Sequence, residues 1–188
     1  MDECNEKKQE VRRWILSLSI WYFFFPMAWL ASGFFYERFV ELEVIDELGD
    51  AGLPLGIAIL ACGAVLSFSA YRAQIMRGLG HPFAFTGREI FSRPTTKLLI
   101  DGVYFWSRNP MNLGDTMIYV GLSIVSGCDG GLVINTPLYY FSVWFNSRFL
   151  ERKGLIERFG SEFLDYERTT SLIIPGLKTI KKVVSQIG

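Results

Sequence analysis

Between Trp14 and Phe35 the chain reads WILSLSIWYFFFPMAWLASGFF, without one charged residue. A helix of that length crosses the hydrocarbon core of a bilayer, and Pro26 within it is tolerable because neighbouring helices re-satisfy the backbone groups it frees. Three further runs are charge-free or nearly so. One, GLPLGIAILACGAVLSFSA, covers residues 52–70; the next goes from Pro110 to about Ser126 with Asp115 as its single charge; the last goes from about Leu132 to Phe149 and carries Pro137, a kink site. The expected fold is therefore all-α: a polytopic membrane protein of about four transmembrane helices, at 14–35, 52–70, 110–126 and 132–149. With 188 residues in all, residues 1–188 are expected to form a single domain.

Composition agrees. Half of the residues are hydrophobic and 15% are aromatic, a membrane-like balance. The formal net charge of zero gives no global field for nucleic acid. Cys4, Cys62 and Cys128 lie far apart and His81 is the one histidine, so neither a disulfide framework nor a metal site is expected. The opening MDECNEKKQEVRR is too acidic and polar for a signal peptide, so the first span is expected to remain in the protein.

Loop charges set the expected orientation. Lys7, Lys8, Arg12 and Arg13 precede the first span, whereas the loop ERFVELEVIDELGD after it is acidic. Basic residues gather on the cytoplasmic side. Arg72, Arg77, Arg88, Arg93, Lys97 and Arg108 follow the second span, and Arg148, Arg152, Lys153 and Arg158 follow the fourth. Four spans put every basic cluster, and both the N- and C-termini, in the cytoplasm. Within the cytoplasmic segment 150–188, Leu155, Ile156, Phe159, Phe163 and Tyr166 recur at helical spacing between charges, predicting an amphipathic helix at the membrane surface or against the hairpin. Gly52, Gly56 and Gly63 offer small surfaces for close helix approach.

The stretch RNPMNLGD, Arg108 to Asp115, begins the third span. Asn109 suits an N-cap and Pro110 the first helical position. Those two residues need only structure. Arg108 beside them and Asp115, about 8 Å inside the helix at 1.5 Å per residue, call for more, since an ionisable group within a span is a functional suspect. Cys128-Asp129-Gly130-Gly131 forms a tight turn to the fourth span, so the last two spans are expected to pair as an antiparallel hairpin, facing residue numbers summing to about 258. Arg108 then stands level with Glu151, Asn112 with Asn146, and Asp115 with Val143 and within reach of Asn146. A polar cluster at that end of the hairpin could hold a polar small molecule beside a lipid.

The stretch LLIDGVYFWSRNPMNLG resembles a motif of the integral-membrane methyltransferases of the isoprenylcysteine carboxyl methyltransferase and phospholipid N-methyltransferase type, G-x-Y-x-x-x-R-[HN]-P-M-Y-x-G. Gly102, Tyr104, Arg108, Asn109, Pro110, Met111 and Gly114 match it in place. A second motif of that family, with a paired glutamate followed by F-G-x-x-Y-x-x-Y and a proline, resembles Glu151, Leu155, Phe159, Gly160, Phe163, Tyr166 and Pro175. The likeness runs from about Gly56 to Pro175. Asn109 stands where many members have histidine, Asn112 where tyrosine is usual, and Arg152 where the second glutamate stands.

The resemblance implies S-adenosylmethionine as methyl donor and a lipid-like acceptor that arrives from the bilayer, either an isoprenylcysteine carboxylate or a phospholipid amine. It points to Tyr104, Arg108, Asn109, Pro110, Met111, Asn112, Gly114, Glu151 and Arg152 as cofactor-binding residues. Arg108 is expected to bind a carboxylate of the cofactor or an acceptor anion, Glu151 to orient the cofactor, and Tyr104 and Trp106 to line the cationic sulfur. Asp115 is the candidate catalytic base for an amine acceptor, and Arg152 is expected to turn toward lipid phosphate. His81, beside Pro82, reads as a linker residue. The alternatives are a sterol-type membrane reductase using NADPH and a non-catalytic membrane scaffold.

Overall fold

A computed structural model describes residues 23–77 and 96–176. The first part of the expected first span, the linker containing His81 and the basic tail lie outside the described residues. Helices follow one another in the order α1 (Phe25–Glu37), α2 (Gly52–Met76), the single turn α3 (Val103–Trp106), α4 (Pro110–Ser126), α5 (Thr136–Phe145) and α6 (Arg152–Thr169), with no strand among the described residues. A 3-10 turn, Asp46–Ala51, leads into α2, which runs on past the expected end at Ala70 because neither glycine nor proline interrupts it before Met76. The stretch Asp46–Met76 is the one helix among the described residues that is long and apolar enough to cross a membrane.

The helices α2 and α4 meet backbone to backbone. A Cβ on Gly63 would lie 2.7 Å from the Gly114 carbonyl oxygen, and a Cβ on Gly121 2.7 Å from that of Gly56. Since low numbers on one helix meet high numbers on the other, the pair is antiparallel. Close approach of this kind is how helices associate where no water drives them together. Gly56 and Gly63 serve the contact expected of them. Gly52 does not, for its nearest neighbour is Leu48 in the preceding turn.

At the far end of these helices, α1 is fastened to the turn between α4 and α5. Trp29 stacks on Tyr119 at 4.6 Å and donates from Nε1 to Ser123 Oγ at 3.0 Å. Gly33 packs against Gly130 and Gly131, and Glu37 accepts the Gly130 N–H at 2.8 Å. Asp129 accepts the Ile45 N–H at 2.8 Å. Gly127, at φ 66°, closes α4 in the left-handed conformation that glycine adopts freely. Beyond the turn Tyr139 lies edge-on to Tyr119 at 5.4 Å, so α5 returns alongside α4.

Much of the large apolar surface faces outward. The largest fully buried side chains are Thr170, Pro110, Cys128, Ser67, Ser107 and Ser123, whereas Phe68, Leu53, Phe141, Trp144 and Phe149 are exposed. Large apolar side chains displayed on the outside suit a hydrocarbon surrounding.

The segment after α5 departs from expectation. A π-helical turn, Gly131–Asn135, precedes α5 and another, Asn146–Glu151, joins it to α6 with right-handed helical dihedrals at both Glu151 and Arg152. The helix continues unbroken until Gly160, where φ 54° and ψ −127° turn the chain. That region belongs essentially to glycine. The bend brings Phe163 and Tyr166 into a buried position.

Candidate functional site

The polar cluster is assembled where α3 hands over to α4. Gly102 at φ 58° starts the single turn of α3, Ser107 is extended, and Asn109 precedes Pro110 at the first position of α4. Asn109 occupies the N-cap but makes no side-chain cap bond, contrary to the simplest expectation. Its carboxamide nitrogen donates instead to Ser147 Oγ at 3.2 Å and to the Leu172 carbonyl at 3.3 Å. A carboxamide has two donors to place, and these partners come from two other segments.

One of those segments crosses over the junction as a strap. The Arg108 N–H donates to the Ser171 carbonyl at 2.9 Å and the Asn109 N–H to the Leu172 carbonyl at 3.0 Å. Thr170 and Ile173 on either side are buried. Tyr166 ties the same region down, its hydroxyl donating to the carbonyls of Tyr104 and of Ser107. The hydroxyl of Tyr104 reaches Gln74 Oε1 at 3.3 Å at the end of α2. Burial pushes both phenols above their ordinary pKa, so each stays a neutral donor.

Charge gathers beside the strap. Arg108 Nη1 contacts Glu167 Oε1 at 2.9 Å, Arg152 grips the same carboxylate with Nη2 at 2.9 Å and Nε at 3.0 Å, and Arg148 stands 3.9 Å from it. Arg152 therefore faces inward onto a carboxylate, which corrects the expectation that it turns to lipid phosphate. Burial raises the Glu167 pKa, but the bonds from Arg152 and Arg108 outweigh it and hold the carboxyl below its usual range. Glu151 accepts from Ser147 Oγ at 3.4 Å, and burial drives its pKa up, opposed by that bond and by the nearby charges of Arg158 and Arg108. Arg108 and Glu151 thus share one cluster, linked through Asn109 and Ser147, while the ion pair of Arg108 is to Glu167. Arg108 Nε is buried with no hydrogen-bond partner.

The remaining candidates divide. Met111 and Asn112 are partly buried on the first turn of α4, and the Asn112 carbonyl accepts from Thr116. Pro110 is fully buried. Gly114 is a helix contact, since a Cβ there would stand 2.5 Å from the Ser67 nitrogen. Asp115 accepts from Ser67 Oγ at 2.7 Å in the interface of α2 and α4; its recorded partner is on α2, where the hairpin register had put it near Asn146. Trp106 is exposed, edge-on to Phe105.

Glu167, Ser147 and the Leu172 carbonyl were not foreseen. Ser147 carried a signal, lying four residues before Glu151 on the same helix face in the polar stretch Asn146-Ser147-Arg148. Glu167 follows the last tyrosine of the second motif, but its approach to Arg108 depends on the bend at Gly160. A backbone carbonyl in a loop leaves no mark in side-chain pattern.

Chemically, the cluster offers a cationic donor edge at Arg108 and a half-buried carboxylate at Glu151. These are complementary to a ligand bearing both an anionic group and hydroxyl or ammonium donors. Residues 51–162 match the phospholipid methyltransferase family. A yeast protein, the Protein-S-isoprenylcysteine O-methyltransferase of Saccharomyces cerevisiae, is 30% identical over 121 residues, covering 62% of this chain and 48% of that one. The chain thus spans about half the length of this curated relative. No solved structure matches it. With the match extending over more than half of the chain and taking in α2, α4, α5 and Glu151, the protein belongs to the phospholipid methyltransferase family.

Proposed function

We propose that this chain transfers a methyl group from S-adenosylmethionine to a lipid-like acceptor, an isoprenylcysteine carboxylate or a phospholipid amine, at the polar cluster between α4 and α5. One observation carries the reading. Arg108, with an unpartnered buried Nε, and Glu151 are distant in sequence yet meet in one cluster joined by the Asn109–Ser147 bond. The donor set fits the cofactor: a guanidinium suits its carboxylate, and a half-buried carboxylate suits its ribose hydroxyls or ammonium.

When bound, that cofactor supplies a methyl group activated on a sulfonium. The chain's own contribution is alignment and exclusion of water, which is most of what an in-line displacement requires. Arg108 and Glu151 bind and orient, Asn109 and Ser147 fix the spacing between them, and the strap at Ser171 and Leu172 closes the junction. A carboxylate acceptor is a nucleophile at neutral pH, whereas an amine must first lose its proton. For an amine acceptor Asp115 is the proposed base; its bond to Ser67 equally supports a role in joining α2 to α4.

The membrane arrangement belongs to the same proposal. Four spans, at 14–35, 52–70, 110–126 and 132–149, put the cluster and both termini on the cytoplasmic side, where basic residues concentrate. The acceptor then enters from the leaflet past the exposed aromatics of α5.

Calorimetry on the detergent-purified chain, with S-adenosylmethionine and NADPH in separate titrations, tests the cofactor. Binding of the methyl donor alone is expected; binding of NADPH alone favours a reductase, and binding of neither favours a scaffold. Labelled donor with a farnesylcysteine analogue or with phosphatidylethanolamine vesicles then identifies the acceptor, because a methyl ester is base-labile and an N-methyl group is not.

A further inference from the structure

A guanidinium carries its donors in one plane, so fixing one edge orients the others. In Arg108, Nη1 is held by Glu167 at 2.9 Å and the guanidinium carbon lies 6.0 Å from the centroid of the Phe163 ring, while Nε is buried without a partner. A buried donor left unpaired in a native chain asks for an explanation.

Glu167 does not belong to Arg108 alone. Arg152 takes both of its oxygens and Arg148 stands at 3.9 Å. Were Glu167 paired with Arg108 one to one, the pair would be neutral and would offer an incoming anion little attraction. Three guanidiniums against one carboxylate leave the group positive while still fixing the plane of Arg108. Both Arg108 and Glu167 are largely withdrawn from solvent, at 14% and 16% side-chain exposure, so screening does not erase the effect.

We propose that Glu167 is a positioning residue: by sharing its carboxylate between Arg152 and Arg108, it presents the free Nε edge of Arg108 to the carboxylate of the methyl donor's amino-acid tail. Arg152 supplies the charge that keeps Arg108 effectively cationic. The inference rests on the methyl-donor reading above. Glu167 is delivered by the bend at Gly160 and by its neighbour Tyr166, which is anchored on Tyr104 and Ser107. Its place therefore does not depend on its own ion pairs, and neutralising it leaves the bend in position.

Two probes separate positioning from a general structural role. S-adenosylhomocysteine carries the amino-acid tail, and 5′-methylthioadenosine lacks it. In calorimetry on the full chain, Glu167→Gln is expected to weaken S-adenosylhomocysteine by about ten-fold, the scale of one charge-assisted contact, and to leave 5′-methylthioadenosine unchanged. Arg152→Gln is expected to act in the same selective sense, because Glu167 then neutralises Arg108, and it decides the matter if Glu167→Gln does not fold. Equal loss of both compounds, or loss of neither, overturns the positioning role alone. A wild-type chain that binds neither compound overturns the methyl-donor reading and this inference with it.

Discussion

The carboxamide of Asn109 donates to Ser147 Oγ at 3.2 Å, across 38 positions of sequence. Because the same nitrogen also reaches the Leu172 carbonyl, one side chain ties together the start of α4, the end of α5 and the strap. Asn109→Ala is expected to cost about 1–3 kcal/mol, the range for losing buried hydrogen bonds, and to weaken cofactor binding. Asn109→His keeps a ring N–H donor and is expected to bind nearly as wild type. Thermal unfolding and calorimetry in detergent check both; a histidine variant as impaired as the alanine one would mean that the donor is not what matters.

Two carboxylates of the cluster respond to pH in opposite senses. Burial raises Glu151 above its ordinary 4.5, so the stability it contributes is present below that value and lost as pH rises through the raised folded value. Glu151→Gln cannot ionise, so its Tm is expected to gain on that of the wild type as pH climbs above 4.5. Glu167 is held low by its arginines despite burial, so its contribution is present above the unfolded pKa and disappears as pH falls through the folded one. Parallel Tm curves for wild type and Glu151→Gln would refute the first assignment.

Gly160 and Gly154 form a matched pair in α6. An added Cβ meets nothing within 4 Å at either position, yet only Gly160 has a positive φ. Gly160→Ala is therefore expected to cost about 1–3 kcal/mol of backbone strain and to loosen the hold of Glu167 on Arg108. Gly154→Ala is expected to be neutral or to stabilise by about 0.4–1 kcal/mol. Chemical denaturation of the two variants side by side gives the comparison.

Substitution in the contact of α2 with α4 has a different cost. A Cβ on Gly63 meets backbone and side-chain atoms at 2.7–2.8 Å, none of them the free end of a flexible chain. Gly63→Ala is expected to destabilise by about 1–3 kcal/mol, as overpacking does, and Gly63→Leu to abolish recovery of folded protein. Yield from detergent extraction and size-exclusion profile are the readouts.

Asp115→Asn retains an oxygen for Ser67 and is expected to leave cofactor binding unchanged. If Asp115 is the base, turnover of an amine acceptor falls by about 100-fold or more, the usual contribution of a general base, while a carboxylate acceptor is methylated as before. Equal turnover of the amine by variant and wild type assigns Asp115 to helix packing alone.

The helical class was legible in the sequence because uncharged runs give helices. Equal rise per residue predicts Arg108 level with Glu151; the structure links the two through Asn109 and Ser147, with π-helical turns at Gly131–Asn135 and Asn146–Glu151 that a regular hairpin lacks. Rotation about a helix axis is not set by level alone. Asp115 stands at its expected depth yet bonds to Ser67 on α2, since the close glycine contacts of α4 fix which face α2 covers. Glu167 was out of reach for a related cause. It approaches Arg108 only because Gly160 leaves the helical region, and glycine in a sequence does not state which dihedrals it will take.

The strap makes the order of synthesis matter. Residues 171 and 172 are translated more than sixty positions after the amides they pair with, so a nascent chain whose α2, α4 and α5 have already formed still lacks the closing piece of its cluster. Formation of the helices and closure of the polar cluster are then separate events, and a chain cut short before Ser171 would keep its helices but leave the junction open.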